Sequence, residues 1–176
     1  MGLEPVWRTH EYVLVSEGGS TFDPEADQGL FWRLSRYVNV MGNQGGALRK
    51  RRLIDSFLDR DDDRSLRGTY WGIGSLTRSY EERPEDAVPG YPEQIVDDVI
   101  SEVRTDLDRF SDGEMNVLMN RGYLLAEAAT RRWTPELRDR GAAPAALPFS
   151  DYWDPARVAR EMMTDSIKRR LPFGRR

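Results

Sequence analysis

The first clear pattern is a run of adjacent apolar positions, Tyr12, Val13, Leu14 and Val15, inside "EYVLVSEGG". Aromatic and β-branched side chains suit a pleated surface, and an uninterrupted run of this length fits a strand covered on both faces. Residues 11–16 are therefore read as that strand. Gly18, Gly19, Asp23, Pro24 and Asp27 make 17–27 a turn-rich loop. From about Gln28 to Arg60, apolar residues recur at helical spacing through Phe31, Leu34, Val38, Met41, Leu48, Ile54 and Phe57. Gly42, Gly45 and Gly46 interrupt the pattern at roughly 1 kcal/mol each relative to alanine, which predicts a kink or a close backbone neighbour.

The run "DRDDDRSLRG" (59–68) reads as a solvated connection, and "TYWGIGS" (69–75) as a second strand bounded by glycines. Residues 77–93 hold Pro84, Pro89, Gly90 and Pro92 among acidic residues and read as an exposed loop. A helix is expected from Gln94 to Val103. "SDGE" (111–114) is a capping-box sequence, with Ser111 as N-cap and Glu114 at the third helical position. The helix it opens carries Met115, Leu118, Gly122, Leu125, Ala129 and Trp133 on one face. An Ala/Pro-rich stretch, 141–148, leads to an amphipathic last helix from about Pro155 to Leu171, with Val158, Met162, Ile167 and Leu171 roughly on one side. The strand–helix–strand unit predicts a right-handed parallel crossover. Two parallel strands with about four helices make too little sheet to stand alone, so the chain reads as part of an α/β domain.

Composition narrows the chemistry. The 176 residues include no cysteine and one histidine, His10, which excludes disulfides, thiolate chemistry and a multi-histidine metal site. No apolar run reaches 18 residues, so no membrane-spanning helix is expected. The amino-terminal stretch has no signal-peptide pattern, and the expected location is cytoplasmic, or peripheral to a membrane. The net charge is −4 although 24 of the 26 basic residues are arginine, a usage that a GC-rich genome produces, and this balance gives no overall pull toward nucleic acid.

Few residues remain as candidates. Glu17 stands at the end of a strand, where α/β sheets place their sites, and Gly18 and Gly19 allow a sharp turn or a close approach. Read alone, the tripeptide favours a strand-terminating turn. Ser20 lies in Gly18-x-Ser20-x-Phe22, where Phe22 replaces the last glycine of a nucleophile elbow, so a turn serine is the plainer reading. "LRKRR" (48–52) reads first as a solvated helix face paired with the acidic run 59–63, and otherwise as an anion-facing patch. Asp97-Asp98 and Asp106/Asp108 have no metal-loop spacing.

Five pieces, in order and spacing, carry a resemblance over about residues 11–133: "YVLVSEGGSTFDPE", "RLSRYVNVMGNQGGALRKRRLIDSF", "GTYWGIGS", "TDLDRFSDGE" and "NRGYLLAEAATRRW". Together they resemble the C-terminal half of a bacterial patatin-like phospholipase domain. The resemblance implies the C-terminal portion of a three-layer α/β/α fold, mostly helical in this chain with about two parallel strands. It further implies a lipid acyl hydrolase acting through a Ser–Asp dyad, with no metal and no cofactor. The family's dyad aspartate opens a D-G-G or D-G-A motif, which Glu17-Gly18-Gly19 matches with glutamate in place of aspartate. The family's G-x-S-x-G elbow does not occur in this sequence.

The expectation is then a truncated or partial acyl hydrolase with Glu17 in the dyad-acid position, inactive alone, over residues 1–140. Residues 141–176 form a linker and a basic amphipathic helix suited to a membrane surface. The alternative is a non-catalytic pseudoenzyme module that docks a partner protein or a membrane. The partner implied is a lipid or ester substrate, once an N-terminal half completes the site, and not nucleic acid.

Overall fold

The structure is a computed structural model that describes residues 5–6, 9–18, 30–59, 66–103, 109–139 and 146–168. It is mostly helical with a two-stranded parallel sheet, a general α/β architecture. In order, the main elements are β1 (Tyr12–Glu17), α1 (Leu30–Leu58) and β2 (Arg67–Gly72), followed by α2, α3 and α4. Helix α2 begins as Glu93–Ile95 and continues as a π turn, Val96–Ile100; α3 is Asp112–Trp133 and α4 is Pro155–Lys168. Among the described residues no helix is long and apolar enough to cross a membrane.

The chain divides into two compact units, Met1–Leu14 with Thr21–Gly68, and Val15–Ser20 with Thr69–Arg176. In the first, Val13, Leu53 of α1 and Leu66 are buried. Gly68 answers a close approach, since a methyl there would overlap the carbonyl oxygen of Val13 and meet the Phe57 ring at 2.9 Å. Of the glycines expected to kink α1, Gly45 and Gly46 have no such reason, and the surroundings of Gly42 lie outside those described. The helix runs through Gly45 and Gly46, and a Cβ at either would meet nothing within 4 Å. In "LRKRR", Leu48, Arg49, Arg51 and Arg52 are exposed and Lys50 is half-buried.

Strand β1 corrects a second expectation. Its burial alternates, with Leu14 46% exposed between the more covered Val13 and Val15, so it is covered on one face only. An apolar run of four cannot reveal which face a neighbour reaches, and here the period of two wins.

The second unit packs around α3. The expected capping box is present: Ser111 Oγ accepts from the Glu114 N–H at 3.1 Å, and the Glu114 carboxylate accepts from the Ser111 N–H at 2.7 Å. Val117 joins Tyr91, Val96, Val99, Ile100, Val158 and Met162 in the main core, while Leu124 and Ala128 pack with Val88. The stretch 77–93 is thus no exposed loop throughout, because Thr77, Val88 and Tyr91 are buried. Pro84 opens a short 3-10 turn and Pro92 stands at the cap of α2, and between them Val88 and Tyr91 pack into the core. The buried side of α3 is also rotated from the expected stripe. Leu125 and Ala129 are buried, but Trp133 is 42% exposed, and Leu118 and Gly122 are half-buried. Helix α4 meets the core through Val158 and Met162, as its spacing predicts; the surroundings of Ile167 and all of Leu171, expected on the same side, lie outside those described.

Candidate functional site

The half-covered stripe of α3 lines a cavity of about 370 Å³ within the second unit. Leu118, Gly122 and Leu125 form its helical wall; Trp71, Gly72 and Ile73 come from the end of β2 and the following turn. Val103 and Phe110 add further apolar surface, and Ser16, Glu17 and Gly18 bring the end of β1. Small-molecule sites run from about 300 to 1,000 Å³ with mostly apolar walls and a few polar groups, and this cavity fits that description.

Glu17 reaches the cavity because it is the last residue of its strand. Its carbonyl oxygen accepts from the Ile73 N–H at 2.9 Å, while Arg67 N–H donates to the Glu11 carbonyl oxygen at 3.0 Å, the constant offset of a parallel pair. The Glu17 side chain is half-buried, and its Oε2 accepts from the Tyr70 hydroxyl. Tyr70 is in turn fixed by Tyr80, whose hydroxyl donates to the Tyr70 carbonyl oxygen at 2.9 Å. Burial pushes the Tyr80 hydroxyl above its ordinary pKa, with Ser75 and Arg121 pulling the other way.

The turn after β2 is held from both sides. Ser75 N–H donates to the Gly72 carbonyl oxygen at 3.0 Å, and the Gly72 N–H donates to Ser75 Oγ at 2.9 Å. Arg121 of α3 clamps the same turn, with Nε donating to the Ile73 carbonyl oxygen at 2.7 Å and Nη2 to that of Ser75. Arg121 is only 4% exposed and lines the cavity. Burial lowers its pKa to about 10, against the opposing influence of Tyr91, Asp97 and Tyr80. Trp71 is 8% exposed, and its indole Nε1 has no acceptor among the described residues.

Of the sequence candidates, Glu17 and Gly18 lie at this cavity; Gly19 and Ser20 lie outside the described residues. His10 sits elsewhere, its Nδ1 2.8 Å from Thr9 Oγ1 on an exposed surface. Asp97 and Asp98 are exposed, Asp106 and Asp108 fall outside the described residues, and no metal-binding group of acidic or histidine side chains occurs among the described ones. The basic end of the chain beyond Lys168 is also outside them.

Sequence reasoning passed over Tyr70 and Arg121. Arg121 had a signal, since it sits three residues after Leu118 and four before Leu125 on an apolar stripe. Tyr70 had none, because its hydroxyl meets Glu17 only through strand pairing. The cavity can hold an apolar ligand beside one carboxylate and one guanidinium. Comparison of the chain with family models, with curated proteins and with solved structures gives no match.

Proposed function

We propose that the second unit carries the acyl-binding and acid-bearing part of a patatin-like lipid acyl hydrolase site. The observation that supports this reading is the position of Glu17, at the C-terminal end of a parallel strand and at the edge of an apolar cavity. In this role the cavity takes the hydrocarbon of an ester, and the Glu17 carboxylate is the base for a serine hydroxyl. The Tyr70 hydroxyl fixes one carboxylate oxygen, as a dyad acid needs if it is to hold its aim. Glutamate in place of aspartate moves the carboxylate by roughly 1 Å, a displacement that costs on the order of 100-fold where placement governs rate. The sequence contains no G-x-S-x-G, so the nucleophile of that mechanism is not supplied by a motif of this chain.

The test uses a short-chain aryl ester and its hydrolysis-resistant amide, octanoyl p-nitroanilide. Saturable binding of the amide without ester turnover, abolished when Leu118→Trp fills the cavity, is the expected result. Lack of saturable binding overturns the reading. Ester hydrolysis lost on Glu17→Gln would overturn the claim of inactivity alone, and Ser20 would be the first nucleophile to replace. The second reading, a non-catalytic binding module, shares the cavity and predicts the same binding. It differs in that Glu17→Asp, the family's own acid, would give no hydrolysis when a nucleophile-bearing segment is added.

A further inference from the structure

We propose that the outer side of α3 is a seam on which two copies of this chain pair, their α3 helices antiparallel. None of its residues lines the cavity, and the pairing does not depend on the acyl-site reading.

Helix α3 is apolar on two sides. Its inner side, with Val117, Leu124, Leu125, Ala128 and Ala129, is buried in the second unit. On the outer side Asn116, Met119, Tyr123, Ala126, Thr130 and Trp133 follow at alternating steps of three and four residues. Met119, Tyr123 and Trp133 are exposed, and the other three are half-buried. Alternating steps of three and four are the spacing that lays one helix along another. Charged residues make up 32% of the chain, yet none occupies these six positions, so the face lacks the character of a solvated one.

The order of sizes selects a second copy as the occupant. An antiparallel seam sets Met119 against Thr130, Tyr123 against Ala126 and Trp133 against Asn116 of the other copy. Every layer then holds one large and one small side chain, which fills the seam evenly, and each contact recurs by two-fold symmetry. A parallel pair would set Trp133 on Trp133 and Ala126 on Ala126, crowding one layer and emptying another. The Thr130 hydroxyl is satisfied within its own helix, donating to the Ala126 carbonyl oxygen at 2.7 Å. Charges flanking the seam are engaged within the chain. Glu127 Oε1 accepts from Arg131 and from Arg138 at 2.7 Å each, and Arg132 pairs with Glu82 while lying 4.7 Å from the Trp133 ring centre. That engagement favours an uncharged partner face over nucleic acid or anionic lipid. The exposed side chains and their half-open neighbours offer on the order of 450 Å² per copy, so a pair buries about 900 Å². A stable complex needs about 1,200 Å² or more, so the dimer is weak and depends on concentration.

Sedimentation equilibrium of the full chain is the test. The mass should rise from one chain toward two between roughly 1 µM and 1 mM and stop there, because a two-fold pair is closed. Met119→Glu and Thr130→Lys should each weaken association by about tenfold or more, with far-ultraviolet circular dichroism checking that both fold. The double variant should regain it. Positions 119 and 130 stand roughly 16 Å apart along one helix, so the new charges neutralise each other only across the pair. A chain still monomeric at about 1 mM overturns the proposal, whatever the variants do. A dimer that Met119→Glu leaves unchanged uses another face and overturns it too. Failure of the double variant to recover overturns the antiparallel pairing and the proposal with it. Binding to phosphatidylcholine vesicles that Met119→Glu abolishes would assign the face to a membrane and likewise overturn it.

Discussion

Asn120 meets Phe149 through both ends of its side-chain amide: Nδ2 donates to the Phe149 carbonyl oxygen at 2.8 Å, and Oδ1 accepts from the Phe149 N–H at 2.9 Å. Asn120 is fully buried on α3, and its Nδ2 also reaches the Tyr91 hydroxyl at 3.2 Å. The Tyr91 hydroxyl donates onward to the Tyr152 carbonyl oxygen at 2.8 Å. One amide therefore does for Phe149 what a neighbouring strand would do.

Asn120→Ala is expected to lower stability by about 3 kcal/mol, because it strands the N–H and carbonyl of Phe149. Asn120→Asp keeps the acceptor, loses the donor and adds a charge, so it should be at least as damaging. Urea denaturation measures both, and a loss under about 1 kcal/mol in the alanine variant would contradict the assignment.

Gly68 and Gly45 make a matched pair of substitutions. Gly68→Ala pushes a methyl into the Val13 carbonyl oxygen and the Phe57 ring, and should cost about 2 kcal/mol or more. Gly45→Ala meets open space within a helix and should stabilise by up to about 1 kcal/mol. Thermal melts of the two variants should move in opposite directions, and a shift of the same sign in both would refute the close approach at Gly68.

The hydrogen bond between Tyr70 and Glu17 can be isolated by a double-mutant cycle. Tyr70→Phe, Glu17→Gln and the double variant should show a coupling of about 1 kcal/mol or more, the range for a hydrogen bond to a charged group reduced for partial exposure. A coupling near zero would mean that the tyrosine does not position the carboxylate.

Alkaline titration reads the core. Burial raises the hydroxyl pKa of Tyr80 and of Tyr91 above 10.0, although bonds from Ser75 and Asn120 pull each down. Their neutral forms belong to the fold, so their contribution is complete below about pH 10 and is lost as pH climbs through the folded values. Arg121 runs the other way: burial lowers it to about 10, so above that pH the native state has shed a proton the unfolded chain keeps, and this group alone favours folding as pH rises. The tyrosinate absorbance separates the two effects. Of seven tyrosines, Tyr80 and Tyr91 should ionise late, and Tyr91→Phe should remove one late step. A single step near pH 10 in a still-folded protein would contradict the burial argument.

Elements with strong local signals were legible in the sequence. The Ser111–Glu114 box fixed the start of α3, and the spacing of Val158 and Met162 placed them in the core. Long-range packing was not legible. Composition could not show that Val88 and Tyr91 would leave a Pro-rich stretch for the interior, nor that Leu14 would stay open on one face. Much of the stripe read on α3 as core-facing became a cavity wall, because Val117, Leu124 and Ala128 took the inner side while Leu118 and Gly122 stayed half-covered. Glu17 was found by its place at the end of a strand. Tyr70 joins it only through strand pairing that no spacing along the chain encodes, whereas Arg121 left a trace in its place on the apolar stripe between Leu118 and Leu125.

Helix α2 changes gauge midway: the Ser101 N–H reaches back five residues to the Val96 carbonyl oxygen at 2.8 Å, where an ordinary helix would reach four. One residue is in effect spliced into the coil, a rare arrangement for a helix. Excising a single residue between 96 and 100 would return the coil to its usual pitch and leave the backbone content. Because five residues here cover the turn that four cover in an ordinary helix, the side chains after it would keep their phase, and the loss would fall on the core contacts of Val96, Val99 and Ile100 within the turn itself. The extra residue thus widens one turn so that Val96, Val99 and Ile100 all reach the core from it, and its loss would be felt as local mispacking with little loss of helix.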